Sequence, residues 1–144
     1  MLRAEHLVRQ IEGEVPVSLV NDVSLQIAAG EMACITGPSG SGKSSLLYLL
    51  GLLDLPSRGS VWLNGVKTSD WSEQQLAEHR IKQLGFVFQF HFLLAEFSVL
   101  DNVRLPMRRL GLLSNAAMQQ RALALLTTLG LLPHAQQFPH QLSG

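Results

Sequence analysis

Cysteine is nearly absent from this sequence: Cys34 stands alone. A single thiol excludes an internal disulfide and a cysteine-based metal cluster, and it points to a reducing compartment. Set in the apolar run Met32-Ala33-Cys34-Ile35, it is expected to be a buried structural thiol rather than a reactive one. Net charge is absent too, because eleven basic residues balance eleven acidic ones. A chain with no basic excess lacks the electrostatic footprint of a nucleic-acid binder, so no nucleic-acid partner is expected. There is no apolar run near the about 20 residues needed to cross a bilayer; the longest leucine-rich stretch is Leu46 to Leu53. The N-terminus, MLRAEHLVRQ, has no apolar signal core. The chain is therefore expected to be soluble alone and to meet a membrane only through a partner. Aromatic residues make up 6%, and the stretch Val8 to Gly13 has none, so Ile11 there offers apolar area but no ring face.

What is present favours a globular fold. The 144 residues are 47% hydrophobic and 15% charged, enough apolar content to build one core at the size of an ordinary domain. Strands are predicted at Leu2 to Val8 and at Val17 to Ile27, where Val23, Leu25 and Ile27 alternate with Ser24 and Gln26. Met32 to Thr36 reads as a short strand buried on both faces. The glycine-rich GPSGSGKSS and the helix-forming LLYLLGLL follow it, giving strand, glycine loop, helix. Ser60 to Leu63 with Asn64-Gly65 reads as a strand ending in a tight turn. Ser72 with Gln75 fits a capping box opening a helix through about Lys82. Leu84 to Gln89 reads as a second buried strand. From Leu100 onward the period is helical, clearest in Met118, Ala122, Leu125, Leu126 and Leu129, with Gly130 as the closing residue.

The strongest chemical signal is Gly37-Pro38-Ser39-Gly40-Ser41-Gly42-Lys43-Ser44, an unbroken G-x-x-x-x-G-K-[ST]. Such a loop turns backbone N–H groups toward phosphate oxygens, and the helix behind it adds its positive end. Lys43 is placed to reach the terminal phosphates and the Ser44 hydroxyl to ligate magnesium; Ser45 completes the candidate nucleotide-binding set. Gln89, ending the predicted strand in GFVFQFHFLL, could touch a bound magnesium or its water, or could simply be a surface residue where a strand stops. The last residues, Pro139 to Gly144 (PHQLSG), resemble the approach to a helix N-terminus.

Taken in this order, the phosphate loop, Gln89 and the final Leu142-Ser143-Gly144 resemble the Walker A loop, Q-loop and start of the LSGGQ signature in the nucleotide-binding subunits of ATP-binding cassette (ABC) transporters. NDVSLQIAAGE, SSLLYLLGLLDLPSRGSVWLNG and DNVRLPM extend the likeness along essentially the whole chain, and GFVFQFHFLLAEFSVLDNV and GLLDLPSRG are most similar to the branch serving lipoprotein release and macrolide export. The resemblance implies an α/β P-loop NTPase core with an N-terminal antiparallel β part and a helical subdomain. It divides the chain into residues 1–89, a nucleotide-binding core, and 90–144, the Q-loop exit and helices ending within the signature. The implied cofactors are ATP and Mg2+, with Ser44 and Gln89 toward the metal and Ser143 and Gly144 toward ATP held by a second subunit. The implied partners are that second ATP-binding subunit and an integral membrane subunit, at the cytoplasmic face of the inner membrane. In the family the Walker B Asp, the Glu that polarises water and the switch His lie beyond the signature, outside these 144 residues. Hydrolysis by this stretch alone is therefore not expected, its sheet should have an open edge, and a non-catalytic nucleotide-binding or transporter-contacting fragment is the alternative. A small-molecule kinase would fit the phosphate loop but leaves Gln89 and the LSG ending unexplained.

Overall fold

A computed structural model describes residues 1–142. The backbone divides into Met1–Leu84 and Gly85–Gly144, and each unit has its own core.

The first unit is built on an antiparallel sheet of order β2-β1-β3-β4. β1 is Leu2–Ile11, β2 Val17–Ile27, β3 Arg58–Leu63 and β4 Val66–Lys67. β1 runs from Leu2 opposite Ile27 to Ile11 opposite Val17. Asn64 and Gly65 both take positive φ, 49° and 83°, joining β3 to β4 as the sequence predicts. Helix α1, Lys43–Leu50, lays Leu46, Leu49 and Leu50 on one core with Ala4, Leu7, Val20, Val61 and Leu63. Burying side chains of this size contributes roughly 1.5–3 kcal/mol each, which is what holds a helix only eight residues long in place. Helix α2, Glu73–Gln83, has the predicted capping box: Ser72 Oγ accepts from Gln75 N–H at 3.3 Å and Gln75 Oε1 accepts from Ser72 N–H at 2.8 Å. It adds Leu76 to the same core, and its Arg80 donates to the Leu52 carbonyl and to Glu73.

A bulge interrupts β1. His6 and Asp22 face each other with φ of 49° and 50°, their Nδ1 and Oδ1 atoms 2.8 Å apart. Gly59 on β3, at φ 90°, lets the backbone pass so close that a Cβ would lie 2.3 Å from the His6 carbonyl oxygen.

The second unit pairs α3, Val99–Leu110, with α4, Asn115–Thr128. Val99, Leu100, Ala122, Leu126 and Ala135 make its core. Ser98 caps α3 by accepting from Asp101 N–H at 3.1 Å, and Asp101 in turn pairs with Arg104. Asp101 is thus part of the α3 cap. After α4, Gly130 at φ 70° donates to Thr127 and Leu131 donates to Leu126, closing the helix with a Schellman turn. Asn102 fastens the preceding loop: its carboxamide accepts from Leu94 N–H and donates to the carbonyls of Leu94, Phe97 and Ser98.

Two expectations fail. Met32 to Thr36 and Leu84 to Gln89 are not strands, and among the described residues neither is paired with another strand. Met32 is 97% exposed, Phe86, Val87 and Phe88 are exposed, and Cys34 is exposed rather than buried. A strand hidden on both faces owes its ladder and its burial to neighbours on each side, and its apolar composition cannot supply them. Ile35 alone of the first segment packs against the sheet core.

Two outcomes are expected. Gly59→Ala should lower the stability of the chain by about 2 kcal/mol or more, read as a fall in its urea midpoint, because the new methyl meets backbone that cannot rotate away. With Met32, Val87, Phe90 and Phe92 in water, the chain should scatter light increasingly with concentration; a monomer with one sharp thermal transition at all concentrations would contradict this.

Candidate functional site: a phosphate loop against an edge strand

The glycine-rich loop lies immediately before α1, as predicted. Gly42 occupies the N-cap position at φ 85°, ψ 7°, with no side chain capping the helix. The N–H groups of Lys43, Ser44 and Ser45 have no acceptor within the helix, since the first turn never does. They point out of the helix end together with its partial positive charge. Within the loop Ser41 N–H donates to Pro38 O at 3.3 Å, and Lys43 Nζ donates to the same carbonyl at 2.6 Å. The lysine stem therefore spans the loop.

The position of Gly42 is set by β2. A Cβ at residue 42 would fall 2.1 Å from the Leu19 carbonyl oxygen, so only glycine lets the helix start press against that strand. Two cavities flank the contact. One, of about 450 Å3, is lined by Lys43, Gly40 and Ser41 together with Ser18, Asn21 and Thr36 among others. The other, of about 380 Å3, runs from Ser39, Ser44 and Ser45 to Val17, Ser18 and Leu19. Both volumes are in the range that holds small ligands. Lys43 is the one charged side chain of either lining, and no carboxylate lines either cavity.

The structure thus brings Ser39, Gly40, Ser41, Gly42, Lys43, Ser44 and Ser45 together around the cavities, with Gly37 and Pro38 at the loop's start. It also adds residues that the sequence pattern marks only as strand: Val17, Ser18, Leu19 and Asn21. Their alternation describes a strand correctly, and only the three-dimensional seat of the loop on β2 reveals their second role. Gln89 belongs to the second unit. It is exposed, its side chain makes no hydrogen bond among the described residues, and it is surrounded in sequence by phenylalanines. Phe86 stacks on Phe88 at 5.5 Å, and Phe92 meets Phe88 and Phe90 edge-on at 5.1 and 6.4 Å, all four rings exposed. His91 is exposed, with its Nδ1 accepting from Leu93 N–H. Ser143 and Gly144 lie outside the described residues.

With the loop, the helix start and the strand in place, the comparisons with known proteins carry a definite meaning. Residues 20–144 match the family model described as ABC transporter. The chain is 47% identical to the lipoprotein-releasing system ATP-binding protein LolD of Bordetella pertussis, over 99% of its own length and 62% of that protein's. It is 42% identical to the LolD protein of Aquifex aeolicus, over 100% of itself and 62% of the relative. Among solved structures, the dimeric ATP-binding cassette MJ0796 in a post-hydrolysis state with ADP and Pi superposes with a TM-score of 0.91 at 35% identity, covering 99% of this chain and 63% of that one. This is a chain of the ABC transporter family, with the family's ATPase fold. It spans about 62% of the length of the curated relatives it matches.

The β2 contact makes a specific demand on residue 42. Gly42→Ala should weaken binding of inorganic tripolyphosphate by about tenfold or more, measured by isothermal titration, because the loop can no longer close on Leu19. Gly30→Ala, also at positive φ but with open space around its Cβ position, should leave that binding unchanged.

Proposed function

We propose that this chain is the phosphate-binding part of an ABC transporter ATP-binding subunit that works in lipoprotein release. The observation that carries the reading is the seat of Gly37 to Ser45 at the start of α1, with a lone cation, Lys43, and uncapped N–H groups beside a cavity of nucleotide size. A polyanion is the ligand this arrangement suits. The roles are then definite. Gly37, Pro38, Ser39, Gly40, Ser41 and Gly42 wrap the phosphates of ATP, Lys43 neutralises the terminal ones, and Ser45 adds a first-turn N–H.

Magnesium fits the residues present. The Ser44 hydroxyl is an exposed hard oxygen on the first turn of α1, lining the cavity and making no hydrogen bond among the described residues. Magnesium commonly takes one or two protein oxygens and completes its shell from phosphates and water. When bound it draws charge off the phosphate oxygens. Ser44 would hold it, and Gln89 is the second residue proposed toward the metal, as a carboxamide oxygen that would report on the transporter. Ser143 and Gly144 belong to the segment that closes over ATP bound by a second copy of the subunit. Support for that dimer comes from the likeness to a cassette solved as a dimer. The exposed Phe86, Phe88, Phe90 and Phe92 form an apolar surface suited to a membrane-embedded partner subunit, which would hold the chain at the cytoplasmic face of the inner membrane. No helix among the described residues is long and apolar enough to cross a membrane.

One observation favours a narrower reading for these 144 residues taken alone. Neither cavity is lined by a carboxylate that could activate water, and phosphoryl transfer needs such positioning beyond charge stabilisation. Binding without turnover is then the activity of this stretch, and magnesium-dependent phosphate release from ATP is the measurement that separates the two.

Lys43→Ala is the direct test. It should weaken ATP binding by the chain by about ten- to a hundredfold and abolish transport when placed in a full-length subunit assembled with its membrane partner. Undiminished transport in that variant would overturn the assignment.

A further inference from the structure

Apart from the phosphate site, a cavity opens at the bulge where β1, β2 and β3 lie side by side. It holds about 440 Å3 and is lined by His6, Val8, Asn21, Asp22, Arg58 and Gly59. No residue of the glycine-rich loop lines it, and Asn21 is its one residue in common with the phosphate cavities. The bulge is fastened from several sides. His6 N–H donates to Ser24 Oγ at 2.9 Å, the His6 ring meets Asp22, and Gly59 brings β3 against the His6 carbonyl with Arg58 next in the chain. His and Asp tolerate the left-handed backbone better than most residues, and held that way at facing positions both reach the same cavity. Backbone kept in a sparsely populated region is the kind of strain that gathers at ligand sites.

The hydrogen-bonding capacity of this cavity is only partly used within the chain. A carboxylate accepts and does not donate, so His6 Nδ1 carries the proton of the His6–Asp22 pair, and the neutral ring leaves Nε2 as an acceptor. Among the described residues, His6 Nε2, the Arg58 guanidinium and the Asn21 carboxamide make no hydrogen bond or ion pair. The guanidinium suits an oxyanion and matches the two oxygens of a carboxylate. His6 Nε2 calls for a donor instead, and the Asp22 charge beside the ring disfavours a second bare oxyanion there. Val8, 5% exposed, adds an apolar wall. We propose that the bulge cavity binds a small hydroxycarboxylate. Arg58 takes the carboxylate, His6 Nε2 accepts from the neighbouring hydroxyl, and Asn21 completes the contacts. Asp22 is a positioning residue that sets the ring. The site is independent of the glycine-rich loop, so its failure would leave the phosphate reading intact.

L-malate and succinate test the proposal, because they carry the same carboxylates and differ by a single hydroxyl. In the unmodified chain, long-range proton–nitrogen NMR should show L-malate moving the ring nitrogens of His6 while those of His79, His91, His134 and His140 stay in place. Succinate should bind at least about fivefold more weakly. Arg58→Gln should weaken L-malate by at least about tenfold. His6→Asn, which retains a residue that accepts the left-handed backbone, should bring L-malate down to the level of succinate. Equal affinities for L-malate and succinate in the unmodified chain would overturn the hydroxyl contact and the ligand class with it. L-malate that fails to bind, or that binds without moving the His6 resonances, would overturn the site. Affinity unchanged in both variants would do the same.

Discussion

The carbonyl of Leu19 pressing on Gly42 is the contact on which the first unit turns. It joins backbone to backbone, so neither side can yield by changing a rotamer. Because residue 42 must lack a Cβ, the helix start carries no side-chain cap, and because it carries none, the first-turn N–H groups face outward. The same contact splits the surrounding space into the two cavities that share Ser18, Leu19, Gly40, Gly42 and Lys43. β2 is fixed by its ladder to β1, and α1 is fixed from below by Leu46, Leu49 and Leu50 on the sheet core. A loop contiguous in sequence therefore takes its shape from a strand some twenty residues earlier.

Apolar residues in this chain do two separate kinds of work. In the sheet and in α1 they are hidden, and their burial opposes the entropy of ordering a short helix and four strands. In the stretch from Phe86 to Phe92 they are exposed, yet the rings are not scattered: they contact one another in one offset-stacked and two edge-on pairs. Such pairs bury part of each ring against its neighbour and leave the outer faces for another surface. The exposed aliphatics of the β1–β2 hairpin differ again: Ile11 and Val17 stand opposite each other in the ladder, and Val17 also lines a polar cavity.

Much of this was legible in the sequence because the deciding interactions are local. Ser72 and Gln75 are three residues apart and cap α2 as their spacing says. Gly130 ends α4, Asn64-Gly65 turns β3 into β4, and the phosphate loop sits where its glycines and lysine place it. What escaped was non-local. Met32 to Thr36 and Leu84 to Gln89 have strand composition, but a strand is defined by the partner that receives its hydrogen bonds, and composition names no partner. Cys34 followed its segment into solvent for the same reason. The part played by Val17 to Leu19 was hidden because a residue that both extends a ladder and walls a cavity keeps only the ladder's alternation in the sequence. The β1 bulge, with His6 and Asp22 in the left-handed region, left no mark in the pattern of apolar residues either.

Asn102 gives the second unit a joint. One carboxamide, bonded to Leu94, Phe97 and Ser98 at once, ties together the run between the aromatic stretch and α3. A loop so fastened has little slack to absorb displacement. Beyond that joint the Ser98–Asp101–Arg104 cluster fastens the head of α3, so the aromatic stretch and the helix start are linked through one continuous run of hydrogen bonds.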